Sequence, residues 1–93
     1  MDIQHENQSA KGRFFYEVEG RTKAEMSYSQ AGSDKIIIDH TEVDDSLKGQ
    51  GFGYKLVEAA VNYAREKHLK ILPLCPFAAA VFKKKNEYSD VLF

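Results

Sequence analysis

The sequence predicts a mixed α+β domain, in which two helices pack on one mostly antiparallel sheet of about four to five strands. Three observations lead to this prediction: strand-like segments fill the chain before residue 44, one amphipathic helix follows them, and a short apolar strand follows the helix. A helix that joins two strands of one sheet makes a βαβ crossover, which places those strands parallel. The 93 residues, 43% of them hydrophobic, suit one domain over 1–93 with a single modest core.

The first half of the chain has the pattern of successive strands. Residues 13–20 (RFFYEVEG) are rich in aromatic and β-branched side chains, and a turn at Gly20 leads into 22–30 (TKAEMSYSQ), which predicts a hairpin. Residues 35–43 (KIIIDHTEV) contain three consecutive isoleucines, which favour a strand in the middle of the sheet, covered on both faces. The first dozen residues lack such a pattern and are expected to be a loose end. If the third strand is regular, one of its faces holds four residues: Ile36, Ile38, His40 and Glu42.

The second half of the chain predicts helix, strand and helix. From Tyr54 to His68, small or apolar residues recur at helical spacing, which predicts an amphipathic helix of about four turns. Residues 70–75 (KILPLC) are short and apolar and predict a strand parallel to 35–43. Pro76 is tolerated in a first helical turn, and the alanines after it favour a short second helix.

Charge and composition exclude several classes of function. Thirteen basic and fourteen acidic residues give a formal net charge of -1, so no overall field favours binding to nucleic acid or to an anionic membrane. The single cysteine, Cys75, excludes an internal disulfide framework and fits a reducing compartment. No apolar run approaches the roughly 20 residues of a membrane span, and the N-terminus lacks the apolar core of a signal peptide. We therefore expect a cytoplasmic protein that is a monomer or a weak dimer.

A glycine-rich loop precedes the first helix and is the clearest candidate for a binding site. The segment 47–60 (LKGQGFGYKLVEAA) places glycines at 49, 51 and 53 before residues that favour a helix. The first N–H groups of a helix lack intrahelical acceptors and lie at the positive end of its dipole, which suits a phosphate. A P-loop would need Gly-Lys-Ser/Thr here, and the dinucleotide fingerprint would need glycine where Tyr54 stands. A tight connection with no ligand remains the alternative interpretation.

The segment 40–60 (HTEVDDSLKGQGFGYKLVEAA) resembles the acyl-CoA signature of the GNAT superfamily of N-acetyltransferases. That signature has a basic or amide residue followed by alternating glycines, and its places are filled here by Lys48, Gly49, Gln50, Gly51, Phe52 and Gly53. The superfamily prefers arginine or glutamine in the first place, so Lys48 is a departure. The resemblance extends over nearly the whole chain, through 73–78 (PLCPFA) and 87–93 (EYSDVLF), to a small GNAT-like subgroup of this length.

This resemblance implies a fold, a cofactor and a reaction. It implies the acyl-CoA N-acyltransferase (GNAT-like) fold, with the pantetheine of acetyl-CoA or coenzyme A between two splayed parallel strands and no metal. The implied reaction transfers an acetyl group to an amine, either a small molecule or a protein lysine or N-terminus. The resemblance assigns cofactor binding to ten residues: Thr41, Glu42, Val43, Lys48, Gly49, Gln50, Gly51, Phe52, Gly53 and Tyr54.

Two residues are the candidates for catalysis, and each has a second interpretation. His40 is a candidate general base, because the reference pKa of a histidine side chain, about 6.5, suits proton transfer near neutrality, or it is a hydrogen-bonded residue that orients its strand. Cys75 ends a strand just before the second helix, whose positive end would favour a thiolate able to accept the acetyl group. A lone cysteine with apolar neighbours is otherwise an inert core residue.

Two further questions stay open in the sequence. Larger GNAT enzymes build most of the acceptor pocket from segments that this chain lacks, so a module that binds CoA to sense it or to recruit a partner is the alternative function. The run Lys83-Lys84-Lys85 could contact an acidic partner or the adenosine 3′-phosphate, but a solvated helix end is favoured for it.

Overall fold

A computed structural model describes residues 2–93 as one five-stranded sheet with two helices, which confirms the predicted fold class. The strands are β1 (Gln4–Gln8), β2 (Lys11–Val18), β3 (Arg21–Gln30), β4 (Lys35–Val43) and β5 (Lys70–Pro73). The helices are α1 (Phe52–Lys67) and α2 (Pro76–Lys84), and 3-10 turns span Asp45–Leu47 and Asn86–Val91. Strands β1 to β4 form an antiparallel meander in chain order, and α1 carries the chain to β5, which is parallel to β4.

The strand β1 corrects the expectation of a loose N-terminal end. Its sequence, QHENQ, is polar throughout, yet the strand pairs along its full length with β2 in antiparallel fashion, from Gln4 opposite Phe15 to Gln8 opposite Lys11. Polar side chains anchor the strand: the ring of His5 stacks on Phe14 with centroids 4.3 Å apart, its Nε2 lies 2.6 Å from the Tyr28 hydroxyl, and Glu6 accepts from Arg13 at 2.7 Å. Backbone pairing and these polar contacts hold the edge strand, and neither leaves an apolar pattern in the sequence.

We expect His5 to make the stability of the fold depend on pH. Partial desolvation of the imidazole where it packs on Phe14 lowers the pKa of His5, so the unfolded chain binds this proton more readily than the folded chain. The contribution of neutral His5 to the free energy of unfolding is therefore complete above about pH 6.5, the pKa of histidine in the unfolded chain. This contribution is lost as the pH falls below that value. Thermal melts at about pH 7.5 and pH 5 should show this loss, and His5→Gln should show a smaller one. Equal losses in both proteins would contradict the assignment.

The hydrophobic core lies between one face of the sheet and both helices. Helix α1 buries a continuous stripe at helical spacing, and α2 adds three buried residues to the same cluster, whose members include Phe14, Met26, Ile36, Ile38, Leu56, Val57, Ala60, Val61, Ala64, Ala78, Val81 and Phe82. Among residues 2–93 no helix covers the other face of the sheet, where Arg13 contacts Glu6 and Glu25. The molecule is accordingly flat, with extents of 34 × 31 × 20 Å.

A bulge in β4 corrects the predicted regular strand. Ser27 pairs with His40 but the next residue, Tyr28, pairs with Ile38, which leaves Asp39 without a partner in the ladder. The hydroxyls of Ser27 and Ser29 donate to the Asp39 carboxylate at 2.7 and 3.1 Å and hold the extra residue on the uncovered face.

This bulge changes which side chains share a face. Before the bulge, Ile36 and Ile38 point into the core. After the bulge, Thr41 is the residue on the core side of the strand, and it lies opposite the buried Met26. His40 therefore lies on the uncovered face, not beside the isoleucines. The strand is interior, as predicted, but only one of its faces is covered by helices, and Ile37 on the other face is half-buried.

The helix and strand ends differ slightly from the predicted bounds. Helix α1 begins at Phe52, two residues before Tyr54, and ends at Lys67, because His68 takes a left-handed conformation with φ 58° and caps the helix. Strand β5 stops at Pro73, so Cys75 is the N-cap residue of α2 and not the end of a strand.

Candidate active site

The central feature of the site is the gap that opens where β4 and β5 part. Their pairing ends at Ile38 opposite Pro73, and the next two N–H groups, of Leu74 and Cys75, both donate to the Ile38 carbonyl, at 3.0 and 3.1 Å. Strand β4 continues for five residues, and within residues 2–93 its only strand neighbour there is β3. Because the N–H of Asp44 donates toward β3, alternation directs the N–H groups of Val43 and Thr41 into the gap.

The glycine loop borders this gap at the N-terminus of α1. Gly49 and Gly51 have φ values of 82° and 79°, a left-handed conformation that favours glycine, and nothing in the described chain lies within 4 Å of the position of a Cβ at either residue. The loop and the first turn of α1 leave five N–H groups with no acceptor within residues 2–93, those of Gly49, Gly51, Phe52, Gly53 and Tyr54. These free donors at the positive end of a helix form a geometry suited to an anion.

The third glycine has a different role. Gly53 lies within α1 at a negative φ, but a Cβ there would come within 2.4 Å of the Phe77 ring of α2. Its missing side chain therefore lets the two helices meet at their N-terminal ends. Phe77 also contacts Tyr54 edge to face, with centroids 6.0 Å apart. Phe77 lies in the segment 73–78 but is not among the predicted site residues, and its signal is an aromatic residue in the first turn of the helix after Cys75.

A cleft of about 510 Å³ connects the loop, the gap and Phe77. It is lined by Val43, Leu47, Lys48, Gly49, Gly51, Phe52, Gly53, Tyr54 and Phe77. The structure thus brings seven of the ten predicted cofactor residues to one cleft. The other three lie around it: Thr41 is in the gap, Glu42 is on the uncovered face, and Gln50 donates to the Ser46 carbonyl at 3.2 Å. The ammonium of Lys48 contacts Asp45 at 2.9 Å.

Cys75 lies at the inner end of the gap and is nearly buried, with 6% of its surface exposed. Its Sγ lies 3.3 Å from the Thr41 Oγ1, on the core side of β4. Burial raises the pKa of Cys75, but a hydrogen bond with the Thr41 side chain and the approach of three backbone N–H groups outweigh it and hold that pKa below its ordinary value. Those N–H groups belong to Ala78 and Phe77, in the first turn of α2, and to Thr41.

This environment predicts a measurable reactivity for the thiol. The pH dependence of Cys75 alkylation by iodoacetamide should have its midpoint below that of the same thiol in the urea-unfolded chain, because the folded site stabilises the thiolate. The unfolded chain is the matched control, since it contains the same single cysteine. A folded midpoint equal to or above the unfolded one would contradict this interpretation of the site.

His40, the second catalytic candidate, is separated from the thiol. Its side chain is 64% exposed on the uncovered face, and its Nε2 lies 3.4 Å from the Glu42 Oε2. Thr41, its neighbour in the strand, points to the opposite side, where it contacts Cys75. The structure therefore does not bring His40 and Cys75 together, and His40 cannot accept the thiol proton directly.

Two further properties concern metals and membranes. Among residues 2–93 no three His, Cys, Asp or Glu side chains form a group that could hold a metal ion. Within the same range, neither helix has the length and apolar character needed to cross a membrane.

Comparison with known proteins adds independent information. Residues 13–91 match the model of a family described as GCN5-related N-acetyl-transferase. No curated protein matches the chain. The chain is 38% identical to a GCN5-like protein of Staphylococcus aureus whose solution structure was solved by NMR, with a TM-score of 0.74 and coverage of 99% of this chain and 87% of that chain.

Two more distant structures share the fold. Ribosomal-protein-alanine N-acetyltransferase from Brucella melitensis biovar Abortus 2308 is 16% identical, with a TM-score of 0.69 and coverage of 83% of this chain and 62% of that chain. AAC(6')-Iy, in complex with the bisubstrate analogue CoA-S-monomethyl-acetylneamine, is 12% identical, with a TM-score of 0.56 and coverage of 87% of this chain and 62% of that chain. At these identities the likeness is one of fold.

Proposed function

Since this chain belongs to the GCN5-related N-acetyltransferase family, we propose that it transfers an acetyl group from acetyl-CoA to an amine, with Cys75 carrying the acetyl group between the two. One observation carries the proposal. The sulfur of Cys75 lies where β4 and β5 part, and the hydrogen-bond donors around it lower its pKa. An inert core cysteine would have apolar neighbours and a raised pKa.

The residues of the cleft fit the donor molecule. The five free N–H groups between Gly49 and Tyr54 would hold the pyrophosphate, and the gap between β4 and β5 would accept the pantetheine arm. The thioester end would then lie at Cys75. The CoA-based analogue bound to AAC(6')-Iy, which has the same fold, supports this choice of donor. Acetyl-CoA supplies an activated carbonyl, and the N–H group of Val43, which faces the gap, would polarise its oxygen while the N–H of Thr41 serves the Cys75 sulfur.

The first step moves the acetyl group to the enzyme. The thiol of Cys75 loses its proton to solvent, and the thiolate attacks the carbonyl carbon. The bond from that carbon to the CoA sulfur breaks, and the CoA thiolate takes a proton from water as it leaves. The donors from Thr41, Phe77 and Ala78 stabilise the Cys75 thiolate before the attack and again when it is the leaving group of the second step.

The second step needs an uncharged amine. The amine attacks the acetyl carbonyl on Cys75, the new C–N bond forms, and the bond to the Cys75 sulfur breaks. We propose that the acceptor enters the gap from the uncovered face of the sheet, so that the proton lost by the amine passes through water to His40, whose imidazole Glu42 would orient. In this proposal His40 serves the amine and has no role in ionising the thiol.

Release of free CoA thiol with a panel of amines, peptides and basic proteins tests the proposal. Turnover with any acceptor supports the enzyme, and a mass increase of one acetyl group on the protein before an acceptor is added supports the Cys75 intermediate. Binding of CoA without release or labelling would favour the alternative, a module that senses CoA or recruits a partner. The bare second face of the sheet is the feature that would serve a partner in that case. A cytoplasmic location and a monomer or weak dimer remain part of the proposal.

A further inference from the structure

One of the three consecutive lysines at the end of α2 differs from the other two in its surroundings. Lys83 and Lys84 are exposed, whereas Lys85 is half-buried, and its Nζ lies 5.8 Å from the centre of the Tyr54 ring. The backbone at Lys85 is also fixed, because its N–H donates to the Val81 carbonyl and its carbonyl accepts from Tyr88, both at 2.9 Å. The side chain therefore extends from a fixed backbone position to the ring of Tyr54, which itself lines the cleft.

The charge of Lys85 is not neutralised by the rest of the described chain. Within residues 2–93 no carboxylate lies within 4.0 Å of its ammonium, whereas the two other lysines beside the loop are paired, Lys48 with Asp45 and Lys55 with Glu58. Among the lysines close to the cleft, Lys85 is thus the one whose charge is left for a ligand. The aromatic face of Tyr54 stabilises the cation without using its hydrogen-bond donors.

Tyr54 connects this cation to the anion site of the loop. Its N–H is one of the free donors at the start of α1, and its ring extends away from them to Lys85. A ligand whose first anionic group occupies the loop would meet Lys85 only through a second anionic group beyond the Tyr54 ring. In coenzyme A the ribose that bears the pyrophosphate also bears a 3′-phosphate, a phosphomonoester with a charge close to −2 near neutral pH.

We propose that Lys85 binds this phosphomonoester, so that the protein distinguishes coenzyme A from the same molecule without its 3′-phosphate. The inference rests on the proposed function for the loop and the gap. It assigns the lysine run two roles: Lys85 contacts the ligand, and Lys83 and Lys84 remain a solvated helix end, as the sequence favours for the whole run.

Calorimetric titration with CoA and with 3′-dephospho-CoA tests this assignment. The wild-type protein should bind CoA roughly tenfold more tightly than dephospho-CoA. Lys85→Gln should lose this preference by binding CoA more weakly, while its affinity for dephospho-CoA stays within about twofold of the wild type. Lys84→Gln is the matched control, one residue away on the same helix, and should keep the full preference. Lys85→Arg retains the positive charge and should keep most of the preference for CoA over dephospho-CoA.

Comparing the two ligands distinguishes failure of the Lys85 inference from failure of the proposed CoA site. If Lys85→Gln keeps the preference for CoA, or weakens both ligands equally, Lys85 does not bind the 3′-phosphate and the inference is overturned. If the wild type binds both ligands with equal affinity, the inference fails while the proposed CoA site stands. If the wild type binds neither ligand, the proposed function fails and this inference fails with it.

Discussion

Replacing Cys75 by alanine should reduce acetyl transfer by at least about 10²-fold in kcat/KM and abolish the acetyl label on the protein. Alanine leaves no nucleophile at the point where β4 and β5 part, so the amine would have to attack the thioester directly. The affinity for CoA should change little, because the free N–H groups of the loop lie on another element. Calorimetry for binding, thiol release for turnover and intact mass for the label measure the three quantities on one protein preparation.

Cys75→Ser is the matched variant for this prediction. Serine keeps the size and the hydrogen-bond partner Thr41, but its hydroxyl ionises far less readily than a thiol, so transfer should be nearly as slow as in the alanine variant. Full transfer by Cys75→Ala, together with no adduct on the wild type, would contradict a covalent step. Direct attack by the amine would then be the mechanism, and Cys75 would be a packing residue.

The second large effect is a loss of CoA affinity, expected when Gly53 is replaced by alanine. In an ordinary helix Gly→Ala is stabilising by up to about 1 kcal/mol. Here the new Cβ would lie 2.4 Å from the Phe77 ring, which would have to retreat by roughly 1 Å to reach van der Waals distance. Since Phe77 lines the cleft, Gly53→Ala should weaken CoA binding roughly tenfold, and the stability gain should be absent in urea unfolding.

A double-mutant cycle isolates the cause of this loss. In a Phe77→Ala background the ring is gone, so adding Gly53→Ala should cost less than about twofold in affinity. Gly51→Ala is the contrasting loop variant: its Cβ meets nothing of residues 2–93 within 4 Å, but its φ of 79° imposes backbone strain of about 1 kcal/mol. Its effect should be the same with and without Phe77. An equal cost of Gly53→Ala in both backgrounds would exclude the Phe77 overlap as the cause.

The parts of the fold that were predicted correctly have a strong local pattern. The stripe of Val57, Ala60, Val61 and Ala64 predicts α1 because burial on one side imposes helical spacing on the sequence. The parallel pair follows from the crossover rule once a strand is recognised on each side of that helix. The loop glycines were recognised through a family signature, and the structure gives two of them positive φ values that only glycine adopts readily.

The features that were missed depend on contacts distant in the chain. The strand β1 is specified by pairing with β2 and by contacts of His5, Glu6 and Asn7 with side chains of β2 and β3, which lie far away in the chain. The bulge at Asp39 is fixed by two serines of β3. The sequence of β4 alone therefore does not indicate that His40 lies on the uncovered face and Thr41 on the core side, the reverse of the regular pattern. Gly53 and Phe77 are also complementary across two helices, and sequence periodicity describes only one helix at a time.

The topology of the sheet has a consequence for the order of folding. The pairings among β1 to β4 join strands that are neighbours in the chain, whereas Lys35 meets Lys70 only after the intervening segment and α1 are in place. Closing that long segment costs more entropy than closing a hairpin, so the meander forms early and β5 docks late. Contacts made last are also the first to be released in local unfolding. We therefore expect the seam between β4 and β5, held by four residue pairs, to exchange its amide hydrogens faster than the longer pairings of β2 with β3 and of β3 with β4. The proposed chemistry lies at the end of that seam.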